Sequence, residues 1–181
     1  VDPADIDYVF CTHLHVDHCG WNTRMEDGRF VPTFPNAKYI FAKDEYDSHA
    51  ENNSIVFRES VLPVMEAKQA ELVAMDFALD DNLSLSPTPG HTVGHVAVEM
   101  TSNGQLAAMS GDLMHSPLQC IYTSLCPTVD LDQKQAGETR RRFLEEHADR
   151  DKLVMTAHFP LPSVGRVVSA GDAFRFEYLE R

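Results

Sequence analysis

The sequence predicts a mixed α/β fold, because short β-rich segments alternate with helical patterns along the chain. Four of these segments run directly into polar loops that carry histidine or aspartate: residues 6–12, 83–86, 106–109 and 153–156. Functional side chains are commonly placed at the ends of strands in a rigid sheet. With 181 residues the chain can bury one sizeable core. We therefore expect a single domain over residues 1–181, with its chemistry at the strand ends.

The segments between these strands indicate further elements. Residues 38–42 are a β-rich run, and Asp44 is the predicted N-cap of the helix that follows. Residues 55–69 have helical spacing, which Pro63 should kink or split. Residues 132–149 are the clearest amphipathic helix, with its apolar face predicted at Ala136, Thr139, Phe143 and Leu144. His147, in the charge-rich part of this helix, is predicted to be solvated. Ser102-Asn103-Gly104 indicates a hairpin turn between two strands, and the tail over residues 166–179 indicates a second hairpin.

Composition and charge narrow the function classes. Hydrophobic residues make up 43% and charged residues 24%, as in ordinary globular proteins. No apolar run is long enough for a membrane span, and no export signal opens the sequence, so we expect no membrane association and a cytoplasmic location. The net charge of −13 disfavours nucleic acid. The one basic cluster, Arg140-Arg141-Arg142, lies among glutamates and is predicted to be a solvated helix face.

The four cysteines show no metal-binding or disulfide pattern. Cys11, Cys19, Cys120 and Cys126 have no CxxC spacing, which favours free thiols, although Cys120 and Cys126 are close enough in sequence for a pairing to stay open. Cys19 follows a histidine, but a small residue packed in a turn is the better interpretation.

The strongest chemical signal is His13-x-His15-x-Asp17-His18, which follows directly on a predicted buried strand. Alternate residues of a strand share a face, so His13 and His15 can point at one ion. Asp17 and His18, past the turn, would be directed toward a second ion. Imidazole nitrogens with carboxylate oxygens suit zinc, and also manganese, iron or cobalt. A merely solvated polar loop does not explain so many ligand-type residues in this place.

Three further residues complete the predicted ligand set. His91 lies in a motif whose glycines, Gly90 and Gly94, allow close backbone approach. Asp112 follows a strand and has two oxygens with which to bridge two ions, and His158 follows the strand at 153–156. His95 is interpreted as a residue that supports the ligands or packs beside them.

In order and spacing, these motifs resemble the metallo-β-lactamase superfamily. The resemblance covers nearly the whole chain and implies an αβ/βα sandwich with the site at its edge. It implies that His13, His15 and His91 hold one ion and that Asp17, His18 and His158 hold the other. Asp112 would bridge the two ions together with a water or hydroxide. The implied cofactors are two divalent metal ions, zinc before manganese, iron or cobalt.

Within the superfamily, the sequence is most similar to the branch of quorum-quenching lactonases and methyl-parathion-hydrolase-like proteins. β-Lactamases of this fold generally replace the bridging aspartate by cysteine or serine, whereas this chain keeps Asp112. Lactonases of the branch often carry a tyrosine three residues after the bridging aspartate, a position that His115 occupies here. Asp17, Asp112 and His115 are therefore the catalytic candidates. His115 would either donate a hydrogen bond to the substrate or be a surface histidine.

The resemblance also implies strands ahead of the histidine-rich motif that this sequence does not contain, so we expect a fold that is truncated at the N-terminus. An unpaired strand edge is a template for pairing with another chain. We accordingly expect the chain to self-associate or to be only marginally stable.

The function that the resemblance implies is metal-dependent hydrolysis of a small-molecule ester, with a metal-bridging hydroxide as nucleophile. A lactone or another carboxylic ester is the first substrate class, and a phosphotriester or phosphodiester is the alternative. A metal-binding protein without hydrolase activity, such as a flavodiiron-like redox partner, would need a flavin domain or another redox centre, and the sequence shows neither.

Overall fold

The computed structural model describes residues 1–179, and the chain divides into two compact units, the first over Val1–Ala74 and the second from Met75 onward. The prediction of a mixed α/β fold is confirmed, since both units combine helices with sheet. The expectation of a single domain stays a prediction. The strands are β1 (Tyr8–Phe10), β2 (Thr23–Glu26), β3 (Arg29–Pro32), β4 (Lys38–Ala42), β5 (Ala70–Val73), β6 (Leu83–Pro87), β7 (Val96–Ser102), β8 (Gln105–Met109), β9 (Lys152–Met155), β10 (Val164–Ala170) and β11 (Ala173–Tyr178). The α-helices are α1 (Val16–Cys19), α2 (Lys43–Asn52), α3 (Ile55–Ser60), α4 (Leu62–Glu66), α5 (Leu118–Ile121) and α6 (Gln133–His147).

The N-terminal unit is built around a three-stranded parallel sheet in the order β1-β4-β5. The central strand β4 is buried from Tyr39 onward, as expected of a strand covered on both faces. Its side chains join a core with residues of the histidine-motif loop and of α3 and α4, among them Leu14, Phe57, Val61 and Val64. The loop that carries the first four candidate ligands is thus anchored in this core.

The helices of this unit follow the sequence prediction with one correction. The helical stretch from residue 55 is split into α3 and α4 at Val61, with Pro63 in the first turn of α4, where its missing N–H costs least. Asp44 is not an N-cap: α2 begins one residue earlier, and its cap, Ala42, makes no side-chain hydrogen bond. The helix begins directly at the end of β4, so Asp44 falls in its first turn. There its negative charge interacts favourably with the positive end of the helix dipole.

The second unit is a six-stranded sheet in the order β11-β10-β9-β8-β7-β6. All neighbours are antiparallel except β8 and β9, whose parallel pairing needs the long connection that contains α5 and α6. The β7–β8 hairpin turns at Asn103 and Gly104, both with positive φ, as a tight two-residue turn requires. Both predicted hairpins are confirmed.

Helix α6 packs on this sheet through more residues than the sequence prediction assigned. Asp132 caps the helix by accepting a hydrogen bond from the backbone N–H of Gln135. The predicted apolar face, including Phe143 and Leu144, is buried in the core. The prediction that the basic cluster is a solvated face is wrong for Arg140, which is fully buried, and right for its two exposed neighbours.

Within residues 1–179, no helix combines the length and the apolar character that crossing a membrane would need.

A partly buried polar cluster joins three elements of the second unit. Glu99 of β7 pairs with Lys152 of β9, and His147 of α6 lies 3.4 Å from the other oxygen of the Glu99 carboxylate. Burial raises the pKa of Glu99, but its hydrogen bonds with His147 and Lys152 outweigh burial and leave the pKa below its ordinary value. Glu99 therefore binds the cluster as a carboxylate, and His147 is buried, contrary to the expectation that a histidine in this charged stretch is solvated.

We predict that Glu99→Gln lowers the free energy of unfolding at pH 7 by about 1–2 kcal/mol, because it removes a charge-assisted hydrogen bond. A lowered pKa means that the stabilisation is present above the pKa of the unfolded chain and is lost as the pH falls below about 4.5. Urea unfolding of both proteins between pH 3 and pH 7 should show a difference that shrinks toward acid. The matched control is Glu177→Gln, whose partner Arg175 is exposed. An equal loss in both variants would contradict the prediction.

Candidate metal-binding clusters

Four of the sequence-predicted ligands lie in the loop between β1 and the end of α1. The strand ends at Phe10, so His13 and His15 lie in the loop and are not alternate residues of a strand, as the sequence suggested. The loop still brings the rings together, with the His13 ring centroid 4.6 Å from that of His15 and 4.1 Å from that of His18. Asp17 is exposed and has an oxygen 3.5 Å from Nε2 of His18.

Two features hold this loop in place. His15 is the N-cap residue of α1, and its carbonyl accepts hydrogen bonds from the N–H groups of His18 and Cys19. Glu45 of α2, almost fully buried, accepts a hydrogen bond of 3.0 Å from the N–H of Leu14, between the first two histidines. A second side chain of α2, His49, has Nε2 3.1 Å from the same Glu45 oxygen. The loop thus has a buried carboxyl anchor that sequence analysis did not identify.

In the second unit, three histidines surround the carboxylate of Asp112. Nε2 of His158 lies 3.1 Å, Nε2 of His115 3.2 Å and Nε2 of His91 3.5 Å from the Asp112 oxygens. Asp112 is buried in a 3-10 turn after β8, and His158 is exposed at its rim. The rings of His115 and His158 stack with an interplanar angle of 9°. Two predicted ligands, His91 and His158, and the His115 candidate are therefore gathered at the carboxylate of a third, Asp112.

The ring of His91 is oriented by a buried ion pair. Its Nδ1 lies 2.8 Å from Oδ1 of Asp130, and the other oxygen of Asp130 lies 3.3 Å from the guanidinium of Arg140. Burial raises the pKa of Asp130, but the hydrogen bond with His91 and the charge of Arg140 outweigh it, so the pKa lies below its ordinary value. An ionised Asp130 accepts a hydrogen bond from Nδ1–H of His91 and leaves Nε2 directed at Asp112, the arrangement common to metal-binding histidines.

His95 supports Asp112, as the sequence analysis expected. Its Nε2 accepts a hydrogen bond of 3.0 Å from the backbone N–H of Asp112. Its Nδ1 must then carry the proton, and it lies 2.8 Å from the hydroxyl oxygen and 3.1 Å from the carbonyl oxygen of Thr88, both of which can accept a hydrogen bond. His95 is fully buried, and it fixes the backbone on which the carboxylate is mounted.

The predicted close approach at Gly90 is confirmed. Its φ is +130°, and a Cβ built there would lie 2.3 Å from the backbone nitrogen of Ala136 in the first turns of α6. The carbonyl of Gly90 accepts from the N–H of Asp132, and that of His91 accepts from the N–H of Leu131. The His91 loop is in this way fastened to the start of α6.

The cysteines take no part in these clusters. All four are free thiols, as predicted, so Cys120 and Cys126 are not paired. Burial raises the pKa of Cys11 to about 11 and also raises the pKa of Cys19, whose Sγ lies 3.5 Å from the carbonyl of Leu14. A protonated thiol is a poor metal ligand. The interpretation of Cys19 as a packing residue agrees with this geometry.

The donor chemistry of each cluster fits a transition-metal ion. Imidazole nitrogens grouped with a carboxylate are the ligands of zinc, manganese, iron and cobalt sites in proteins. The first unit supplies three imidazoles and an aspartate, and the second supplies imidazoles that converge on a buried aspartate.

The metallo-beta-lactamase superfamily model matches residues 1–158, and the chain belongs to that superfamily. Among curated proteins it is similar to the N-acyl homoserine lactonase of Bacillus cereus, with 30% identity over 157 residues, 86% of this chain and 57% of the relative. It is also similar to the N-acyl homoserine lactonase AttM of Agrobacterium fabrum, with 29% identity over 172 residues, 88% of this chain and 60% of the relative. The chain thus spans less than two thirds of the length of these relatives.

Solved structures agree on the fold. The hydrolase AbOPH of the beta lactamase superfamily matches with a TM-score of 0.85 at 24% identity, over all of this chain and 67% of that one. AidC, a dizinc quorum-quenching lactonase solved in complex with a product, matches with a TM-score of 0.80 at 23% identity, over 99% of this chain and 67% of that one. The sequence-based assignment to the superfamily and its lactonase relatives is confirmed.

We predict that Gly90→Ala destabilises the chain by at least about 2 kcal/mol, from backbone strain at positive φ together with the contact against the backbone of Ala136. Gly104→Ala is the matched control, since Gly104 also has positive φ (+77°) but a Cβ there meets nothing within 4 Å. Thermal or urea unfolding of the two variants separates strain from steric contact. Equal losses would show that the approach of the His91 loop to α6 is not tight.

Proposed function

We propose that this chain is a dinuclear metal-dependent hydrolase of small carboxylic esters, and that its substrate is a lactone of the N-acyl homoserine class. The observation that carries the proposal is the gathering of His91, His115 and His158 around the Asp112 carboxylate. Membership of the superfamily and the similarity to N-acyl homoserine lactonases support it. An isolated histidine cluster without that kinship would indicate a metal site but no reaction.

In this proposal seven residues would hold two divalent ions, with zinc as the first candidate. His13, His15 and His91 would hold one ion, Asp17, His18 and His158 the other, and Asp112 would bridge them. Seven nitrogen and oxygen donors are too many for one tetrahedral ion. When bound, such ions lower the pKa of a coordinated water to about 7 and polarise a carbonyl oxygen.

The protein side chains would position the reactants and transfer protons. Asp112, an acceptor at the centre of its cluster, is placed to take a proton from the attacking water and to return it to the leaving oxygen. His115 presents Nε2 at the same carboxylate and is held by stacking on His158. It would donate a hydrogen bond to the carbonyl or the leaving oxygen of the substrate.

The charge of the chain favours a neutral substrate. A net charge of −13 repels polyanions, so we propose a small-molecule ester as the substrate and no nucleic-acid partner. A lactone is uncharged at its reacting group and satisfies this condition. Phosphotriesters are uncharged as well and are the competing substrate class that the experiment must include.

We predict that the zinc-loaded protein opens N-acyl homoserine lactones faster than it cleaves a phosphotriester or a nucleotide diester. Asp112→Asn should keep the fold but lose at least one ion and nearly all hydrolysis, because the amide lacks the bridging charge. The measurement is zinc content by mass spectrometry with initial rates on the three substrates. Asp172→Asn, in the β10–β11 turn, is the matched control and should change neither quantity.

Faster turnover of either phosphate ester than of every lactone would contradict the substrate class. Full zinc content in Asp112→Asn, with unchanged lactone rates, would contradict the bridging role.

We predict that His115→Phe lowers kcat on a lactone by about 10²–10³, the usual cost of losing one donor to a developing oxyanion, while zinc content stays the same. Phenylalanine keeps a ring for stacking on His158 but cannot donate. His115→Asn is the complementary variant, since it keeps a donor and loses the stacked ring. Both variants should be assayed for kcat, KM and bound zinc. An unchanged kcat in His115→Phe would leave His115 a peripheral histidine.

A further inference from the structure

Arg140 is fully buried although it belongs to a helix segment of three arginines. Its two neighbours, Arg141 and Arg142, are exposed. The buried guanidinium donates from Nε to the carbonyl of Leu113 at 2.8 Å, and from one terminal nitrogen to the carbonyls of Thr123 and Leu125 at 2.6 and 3.1 Å. The other terminal nitrogen lies 3.3 Å from Oδ2 of Asp130. Four oxygen acceptors, together with Sγ of Cys126 at 3.6 Å, therefore compensate the desolvation of this charge.

Two of these hydrogen-bond partners of Arg140 adjoin candidate metal ligands. Asp130 is the carboxylate that accepts from Nδ1 of His91. Leu113 is the residue after Asp112, in the same 3-10 turn, and its carbonyl is fixed by Arg140. The guanidinium group thus restrains the ring of His91 through Asp130. It restrains the backbone of Asp112 through the carbonyl of Leu113.

The alternative is that Arg140 only ties the irregular segment between α5 and α6 to the helix. The bonds to Thr123 and Leu125 serve that purpose, but they do not need the contacts to Asp130 and Leu113. Burial of an arginine is costly unless every donor is directed at an acceptor, and a smaller apolar residue would fill a purely structural position at lower cost. The planar fork of the guanidinium is suited to holding several acceptors at fixed angles.

We propose that Arg140 is a positioning residue that holds His91 and Asp112 in their mutual geometry, acting through Asp130 and through the carbonyl of Leu113. The inference rests on the proposed function in that His91 and Asp112 are taken as metal ligands. The geometric part concerns only how two side chains are held, and it can be tested without metal.

The experiment compares Arg140→Lys, Asp130→Asn and the control Arg141→Lys with the unaltered chain. Lysine keeps the charge of Arg140 but not its fork, and Arg141 pairs with Glu145 on the exposed face of the same helix. The first readout is exchange of the His91 Nδ1 proton with solvent, followed by ¹H–¹⁵N spectra of the metal-free protein. The second is zinc affinity, from competition with a chromophoric chelator.

We expect loss of the protected His91 proton in Arg140→Lys and in Asp130→Asn, together with zinc affinity that is weaker by about 10- to 100-fold. Arg141→Lys should retain both. Because Arg140 and Asp130 act in one chain of contacts, the double variant should bind zinc about as weakly as Arg140→Lys alone. A purely structural role would lower the melting temperature but leave the proton protected in the folded protein.

A protected His91 proton and unchanged zinc affinity in Arg140→Lys would overturn the proposal. If that variant does not fold, Asp130→Asn decides alone, and wild-type zinc affinity in it would equally overturn the proposal. If the unaltered chain binds no zinc while Arg140→Lys loses the protected proton, the proposed function fails and the positioning role stands.

Discussion

Three imidazoles directed at one buried carboxylate form an arrangement that needs hydrogen bonds from the surrounding residues to keep its geometry. The Asp112 oxygens lie within 3.5 Å of Nε2 of His91, His115 and His158, and Asp112 itself is buried. Nothing in the intrinsic preferences of the chain favours such crowding, because the buried groups, Asp112 and His91, give up water. Residues in the loops of the second unit provide the hydrogen bonds that the cluster needs. This requirement determines which residues surround the cluster.

The supply comes from buried polar residues that would look misplaced if considered singly. His95 accepts a hydrogen bond from the backbone N–H of Asp112. Asp130 accepts one from Nδ1–H of His91 and another from the guanidinium of Arg140. In the first unit Glu45 does the same for the loop of His13 and His15. Each candidate ligand cluster therefore lies on a buried charged or imidazole anchor. Burying such polar groups costs free energy. Their role in orienting reactive side chains accounts for their presence in the core.

Sequence reasoning found the ligand-type residues but not the residues that orient them. His13, His15, Asp17 and His18 stand out because they are concentrated after a strand, and His91, Asp112 and His158 because of their motifs. The orienting residues are single charged residues in charged stretches of sequence: Glu45, Asp130 and Arg140. Such a pattern predicts exposure to solvent. For Arg140 a signal was present: it lies on the same helix face as Ala136, Phe143 and Leu144, which were predicted to be buried. The β2–β3 hairpin was missed too, although Asp27-Gly28 is a strong turn signal.

The central proposal is that the chain holds two metal ions, and crystallography tests it most directly. Crystals grown with zinc should be measured on both sides of the zinc absorption edge, so that each ion is located by its own anomalous signal. We predict two strong peaks, both in contact with Asp112, one also bound by His91 and the other by His158. A single peak, or peaks away from these side chains with the candidate ligands left unbound, would contradict it.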